Sequence, residues 1–152
     1  MREFAGLDEI RGAVGTHVGY SEWHEITQAR IDTFANATGD FQWIHVDAER
    51  SASGPFGKTI AHGYLTLSLV PFLVQGVYRL SGVKMGVNYG ANKLRFPGPV
   101  LVSSTVRAGV EFADLTELAS GLLLTTVVTV DCSTTTKPVC VAELLTLLVP
   151  ES

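Results

Sequence analysis

The 152-residue chain has few charged residues, only two cysteines and no run of basic residues. Eleven Lys and Arg residues against 15 acidic ones give a net charge of −4, so the electrostatic footprint of a nucleic-acid-binding protein is missing. Cys132 and Cys140 have no second pair of cysteines that could complete a zinc site. We therefore expect a cytoplasmic protein with two buried free thiols, no nucleic-acid partner and no metal.

A long uninterrupted apolar segment is also missing. The most apolar stretch, residues 65–78, contains several polar or helix-breaking residues and is too short to cross a bilayer. These interruptions are Thr66, Ser68, Pro71, Gln75 and Gly76. The first residues lack the apolar core of a signal peptide. The sequence therefore predicts neither a membrane partner nor a secretory leader.

What the chain does contain is enough apolar sequence, 46% of its residues, for one buried core, and we expect a single domain over residues 1–152. Residues 18–26 alternate in the manner of a half-buried strand. Thr27 then fits the N-cap of a helix, and Gly39 fits its left-handed end. The apolar face of that helix is marked by Ile31, Phe34, Ala35 and Thr38.

A second helix is predicted over residues 63–79, and it is apolar nearly all round, which requires cover on most sides. Pro71 should kink it or be accommodated by local changes in hydrogen bonding. Four strand-like runs follow, over residues 82–96, 100–113, 118–133 and 138–149. This order predicts an α+β domain in which a curved antiparallel sheet wraps around one central helix.

Asp40 and His45 follow the first helix on irregular backbone, after which residues 51–57 are expected to form a loop. An acid and an imidazole this close can converge on one water and transfer protons near neutral pH. Asp40 could instead be a turn or cap residue, and His45 a satisfied, partly buried histidine.

Other acidic and imidazole groups nearby have simpler interpretations. His62 is expected to orient the glycine turn that follows it by hydrogen bonding. Asp47 is expected to cap a helix that starts at Ala48. A metal site built from His45, Asp47 and His62 is disfavoured, because the three lie on different elements with nothing to fix a coordination shell.

Three segments, residues 37–47, 60–65 and 88–100, resemble the MaoC-like (R)-specific enoyl-CoA hydratase family. The resemblance implies the hot-dog fold, homodimers with sites at the interface, an acyl-CoA thioester substrate, and no cofactor beyond the coenzyme A of that substrate. It also implies that Asp40 and His45 are catalytic and that the Gly63 amide holds the thioester oxygen.

The chain departs from the family pattern at a few positions. Gln42 and Trp43 stand where the family commonly has Asn and Pro, and Pro71 replaces a frequent serine of the hydrophobic helix. Ser68 is close enough to be a candidate replacement for that serine. The residues named as candidates for binding the substrate or its oxygen are therefore Gly63, His62, Gln42 and Ser68.

The chemistry of hydration fits these residues. Adding water to an α,β-unsaturated thioester needs a base, an acid and a donor for the enolate-like oxygen. Asp40 and His45 can share the first two tasks, and an amide at a helix start can supply the third.

Two questions stay open at this stage. Tyr89, Lys93 and Arg95 either line a groove for the coenzyme A phosphates or are sheet surface. The alternatives to a hydratase are a hot-dog acyl-CoA thioesterase and a non-catalytic acyl-CoA-binding or assembly subunit.

Overall fold

Eight strands are present in the computed structural model, which describes residues 1–151. They are β1 (Arg2–Phe4), β2 (Thr16–Tyr20), β3 (His24–Glu25), β4 (Tyr78–Leu80), β5 (Val83–Arg95), β6 (Thr105–Leu118), β7 (Gly121–Cys132) and β8 (Cys140–Pro150). Six of them form an antiparallel sheet in the order β2-β6-β7-β8-β5, with β3 also paired to β6. β1 and β4 form a separate parallel pair. The antiparallel sheet expected from the sequence is confirmed.

Six helices accompany the strands. They are α1 (Leu7–Ala13), α2 (Gln28–Thr38), α3 (Trp43–Val46), α4 (Ala48–Ala52), α5 (Gly63–Ser68) and α6 (Val70–Val74). The hydroxyl of Thr27 accepts from the Arg30 amide at 3.2 Å, and Gly39 ends α2 with a φ of 78°. Both predicted boundaries of α2 are therefore confirmed, and Gly39 turns the chain toward Asp40.

The prediction of one helix over residues 63–79 is wrong in its extent. The predicted helix is divided at Leu69 into α5 and α6, and the helical backbone ends at Val74. Pro71 lies in the first turn of α6, where its missing N–H removes no intrahelical bond. Because Pro71 is tolerated at a helix start, the chain begins a new helix there and bends.

Three smaller boundaries also differ from expectation. The strand predicted over residues 18–26 is divided into β2 and β3, and residues 51–52 of the predicted loop belong to α4. β6 begins at Thr105 because Ser103 has a φ of 65°, which interrupts extended backbone. The segment before it instead forms a bridge between Leu101 and Ile60.

The core lies between α5, α6 and one face of the sheet. Along β7 buried and half-buried residues alternate strictly, as a sheet with one covered face requires. Val128 and Val130 of this strand belong to the same buried cluster as Leu65 and Leu73 of the two helices. Both cysteines are free and buried, as predicted. No helix among residues 1–151 has the length and apolarity needed to cross a bilayer.

Candidate active site

Asp40 lies on the bend that Gly39 creates after α2. Its side chain is 53% exposed, and its Oδ1 accepts from the Gln42 amide at 3.2 Å. This bond holds the carboxylate by one oxygen. The other oxygen, Oδ2, faces His62 at 4.0 Å from Nε2.

His45, five residues farther on, is buried and lies in the short helix α3, so the prediction that it lies on irregular backbone is wrong. Its Nδ1 is 2.7 Å from the Ile60 carbonyl, which can only accept, so Nδ1 donates. The Ile60 amide in turn donates to the Ile44 carbonyl at 3.0 Å. These two bonds tie α3 to the segment before α5 and leave Nε2 of a neutral His45 as a hydrogen-bond acceptor.

His62 joins this pair from the opposite segment. Its Nε2 donates to the Asp40 carbonyl at 2.9 Å, and its ring stacks on His45 with centroids 3.8 Å apart and planes 24° apart. One nitrogen or oxygen atom of each of Asp40, His45 and His62 lies within 4.8 Å of the other two. The expected convergence of Asp40 and His45 is thus present in the structure, with His62 as a third member.

The charge state of His45 follows from its surroundings. Burial is the largest cause that lowers the pKa of His45 below its usual value of 6.5. The bond to Ile60 opposes this shift, His62 adds to it and Asp40 opposes it. His45 is therefore neutral at neutral pH and presents a basic nitrogen beside a carboxylate.

The residues that the structure groups are Asp40, His45 and His62, and not the set of His45, Asp47 and His62 that the sequence disfavoured as a metal site. Asp47 is engaged elsewhere, because it caps α4 by accepting from the Arg50 amide at 2.9 Å, as predicted.

Gly63 is the first residue of α5, so its amide has no partner inside the helix. A Cβ at this position would lie 2.8 Å from the Phe96 ring, which explains why glycine is needed. Gly63 and Phe96 line a cavity of about 360 Å³ together with Thr66. Gly63, the residue expected to hold the thioester oxygen, therefore borders this cavity.

Of two further predicted substrate-binding residues, one contacts the Asp40 group and one lies elsewhere. Gln42 precedes α3 and contacts the group through its backbone: its amide donates to Asp40 Oδ1 at 3.2 Å and its carbonyl accepts from the His45 amide at 2.9 Å, while the residue is exposed. Ser68 ends α5 and lines a second, larger groove of about 660 Å³ between the helices and the sheet. Thr126 and Leu144 lie on the sheet side of that groove.

The three predicted coenzyme A residues lie on β5, whose other members are also mostly exposed. Lys93 and Arg95 pair with Glu143 and Val141, on the opposite face from the buried Ala142. Tyr89 is 61% exposed. The structure does not bring these three to the Asp40 group, although the strand leads directly into the Phe96 that covers Gly63.

Gln28 is a supporting residue that the sequence did not indicate. Its Nε2 donates to the His45 carbonyl at 2.8 Å, and its Oε1 accepts from the Thr59 hydroxyl at 2.5 Å. These partners are 17 and 31 residues away in the chain, so no local pattern marks the contact. The Gln28 side chain therefore connects the start of α2 to both segments of the site.

Known proteins similar to this chain agree with the architecture. A family model described as MaoC like domain matches residues 9–133. The 3-hydroxyacyl-thioester dehydratase Z of Mycobacterium tuberculosis is 50% identical over 144 residues, which cover 94% of this chain and 95% of that protein. Nodulation protein N of Rhizobium leguminosarum bv. viciae is 39% identical over 145 residues, or 93% of this chain and 90% of that protein.

Solved structures give the same picture. The monoamine oxidase regulatory protein from Archaeoglobus fulgius superposes with a TM-score of 0.78 at 26% identity, over 99% of this chain and 97% of that chain. The (R)-hydratase from A. caviae involved in PHA biosynthesis superposes with a TM-score of 0.70 at 25% identity, over 90% of this chain and 98% of that chain. The chain therefore belongs to the MaoC-like domain family, with the α+β hot-dog fold that its sequence predicts.

Proposed function

We propose that this protein is a hydro-lyase that interconverts trans-2-enoyl-CoA and (R)-3-hydroxyacyl-CoA. The observation that carries the proposal is the convergence of the Asp40 carboxylate with the neutral, buried His45 on one side of the α5 start. The names of the relatives, a 3-hydroxyacyl-thioester dehydratase and an (R)-hydratase, support the reaction class and the hand of the product.

In the hydration direction, Asp40 and His45 Nε2 accept hydrogen bonds from one water. As the water oxygen forms its bond to C3, the pair takes one proton from it, and the C2–C3 double-bond electrons move onto the thioester carbonyl oxygen. The pair then returns a proton to C2, and the carbonyl re-forms. The overall change adds OH at C3 and H at C2, and dehydration runs the same steps in reverse.

The negative charge that develops on the carbonyl oxygen needs a donor. The Gly63 amide is suited to this role because it has no intrahelical partner and lies at the positive end of α5. Such a donor acts most strongly in the transition state, where the oxygen carries more charge than in the substrate.

A homodimer is part of this proposal. β5 has a free edge, because its only partner in the sheet of residues 1–151 is β8. Met85, Val87 and Tyr89 on this strand are 51%, 43% and 61% exposed. A bare edge with exposed apolar side chains is commonly covered by a second copy of the chain.

The test uses crotonyl-CoA as the substrate. Hydration lowers the absorbance of the enoyl-thioester bond, and chiral analysis of the product reports its hand. Release of free thiol instead would indicate the thioesterase. Silence in both assays would overturn the proposal in favour of a binding or assembly subunit.

A further inference from the structure

His62 is the buried group whose contacts the proposed reaction leaves unexplained. It is 2% exposed, and its ring contacts two others, His45 at a centroid distance of 3.8 Å and Phe34 at 4.9 Å. Its backbone carbonyl accepts from the Thr66 amide at 3.2 Å and so begins α5, whereas its side chain reaches Asp40. One residue thus connects the donor at Gly63 with the acid–base pair.

The hydrogen bond at Nε2 defines the tautomer of His62. The Asp40 carbonyl can only accept, so Nε2 carries the hydrogen, and a neutral ring has a bare Nδ1. Nδ1 is buried without a partner among residues 1–151. The side chain of His62 is therefore held through Nε2 alone.

The ring of His62 is fixed by its neighbours. Its centroid lies 3.8 Å from that of His45 and 4.9 Å from that of Phe34. Because both contacts restrict the orientation of the ring, its Nε2 stays directed at the Asp40 carbonyl, 2.9 Å away.

We propose that His62 is a positioning residue for Asp40 and His45: its Nε2 N–H holds the Asp40 bend, and its ring lies against His45 and keeps the two side chains adjacent. This inference rests on the proposed hydratase function for its kinetic consequences. Its structural part, the Nε2 hydrogen bond to Asp40 and the ring contact with His45, is independent of any substrate.

Two variants separate the hydrogen bond at Nε2 from the presence of a flat ring. His62→Phe keeps a flat buried ring but loses the donor, and we expect kcat to fall by roughly 100-fold with KM within about twofold, because the bend shifts while substrate contacts remain. His62→Gln places an amide donor near the position of Nε2 and should recover most of kcat. Equal loss of kcat in two folded variants, or wild-type kcat in His62→Phe, would overturn the proposal.

Nuclear magnetic resonance of the imidazole nitrogens provides the substrate-free measurement. In the wild-type protein, Nε2 of His62 should carry a hydrogen that is bonded to the Asp40 carbonyl, and Nδ1 of His45 should carry a hydrogen that is bonded to the Ile60 carbonyl. In both variants the titration of His45 should move to higher pH, whereas His17→Gln on the exposed strand β2 should leave it unchanged. A wild-type His62 without a hydrogen on Nε2, or an unmoved His45 titration, contradicts the inference even if the protein proves inactive on enoyl-CoA.

Discussion

The ring of Phe96 occupies the space in which a side chain at position 63 would begin, with its nearest atom 2.8 Å from an ideal Cβ on Gly63. The aromatic ring therefore requires glycine at the first residue of α5. Both residues line a cavity of about 360 Å³.

Gly63→Ala should consequently displace either Phe96 or the start of α5. We expect kcat for crotonyl-CoA hydration to fall by about 10²-fold or more, which is the scale of losing one oxyanion donor. Gly12→Ala in α1, where a Cβ meets nothing within 4 Å, is the matched control and should keep full activity. Full activity in Gly63→Ala would remove the Gly63 amide from the mechanism.

Asp40→Asn should lower kcat by about 10²- to 10⁴-fold, because the amide cannot take a proton from water. The fold should survive, since the Asn oxygen can still accept from the Gln42 amide. Asp47→Asn makes the same chemical change at the cap of α4, where Asn also caps well, and should have near-normal turnover. Circular dichroism and steady-state kinetics on both variants decide the matter, and equal activities would contradict the role of Asp40.

The lowered pKa of His45 predicts a pH dependence. Hydration needs neutral His45, so kcat/KM should fall on the acidic side with an apparent pKa below 6.5.

The unfolded chain binds a proton to His45 more readily than the folded protein does, so the free energy of unfolding should also decrease as pH falls through 6.5. Denaturant titrations of the wild type and His45→Gln, from about pH 5 to about pH 8, measure how the free energy of unfolding depends on pH. A variant with unchanged pH dependence of stability would rule out His45 as its source.

Gln28→Ala should weaken both the fold and the site. The buried Thr59 hydroxyl loses its acceptor and the His45 carbonyl loses its donor, which should cost about 1–3 kcal/mol of unfolding free energy. kcat should fall as well, because α3 is less firmly held. Gln75→Ala at the exposed end of α6 serves as the control. Urea unfolding that shows equal stability for the two variants would argue against the connecting role of Gln28.

The free edge of β5 predicts a dimer in solution, which light scattering after size exclusion measures. Val87→Lys should increase the monomer fraction and reduce activity, because a charged side chain on an edge strand opposes pairing. Leu118→Lys makes a comparable change at another exposed position, the end of β6, and should leave the dimer intact. A monomeric wild-type protein with full activity would disprove the dimer.

The features that the sequence predicted well depend on local contacts. Thr27 and Gly39 act at the two ends of α2, and Asp40 and His45 are only five residues apart, so short spacings were sufficient to predict these boundaries and to expect the two side chains close together. The break at Leu69 was harder, because Pro71 is compatible with a kink inside a helix or with the start of a new one.

The features that the sequence did not predict depend on long-range packing. His62 was expected to orient its own glycine turn, but its side chain bonds to Asp40, 22 residues earlier. The stacking of His62 on His45 arises only when the α3 and α5 segments are joined through Ile60. Periodicity and spacing describe neighbours along the chain and contain no signal for such contacts.

The division of the predicted helix at Leu69 sets the start of α5 apart from the larger groove. Gly63 borders the smaller cavity, whereas Pro71 and Val74 of α6, with Ser68 at the end of α5, line the groove of about 660 Å³. Because the proline supplies no amide to bond back to the preceding turn, the helical backbone is interrupted between these two regions. Substitutions along α6 can therefore reshape the groove and leave the glycine that opens α5 in place.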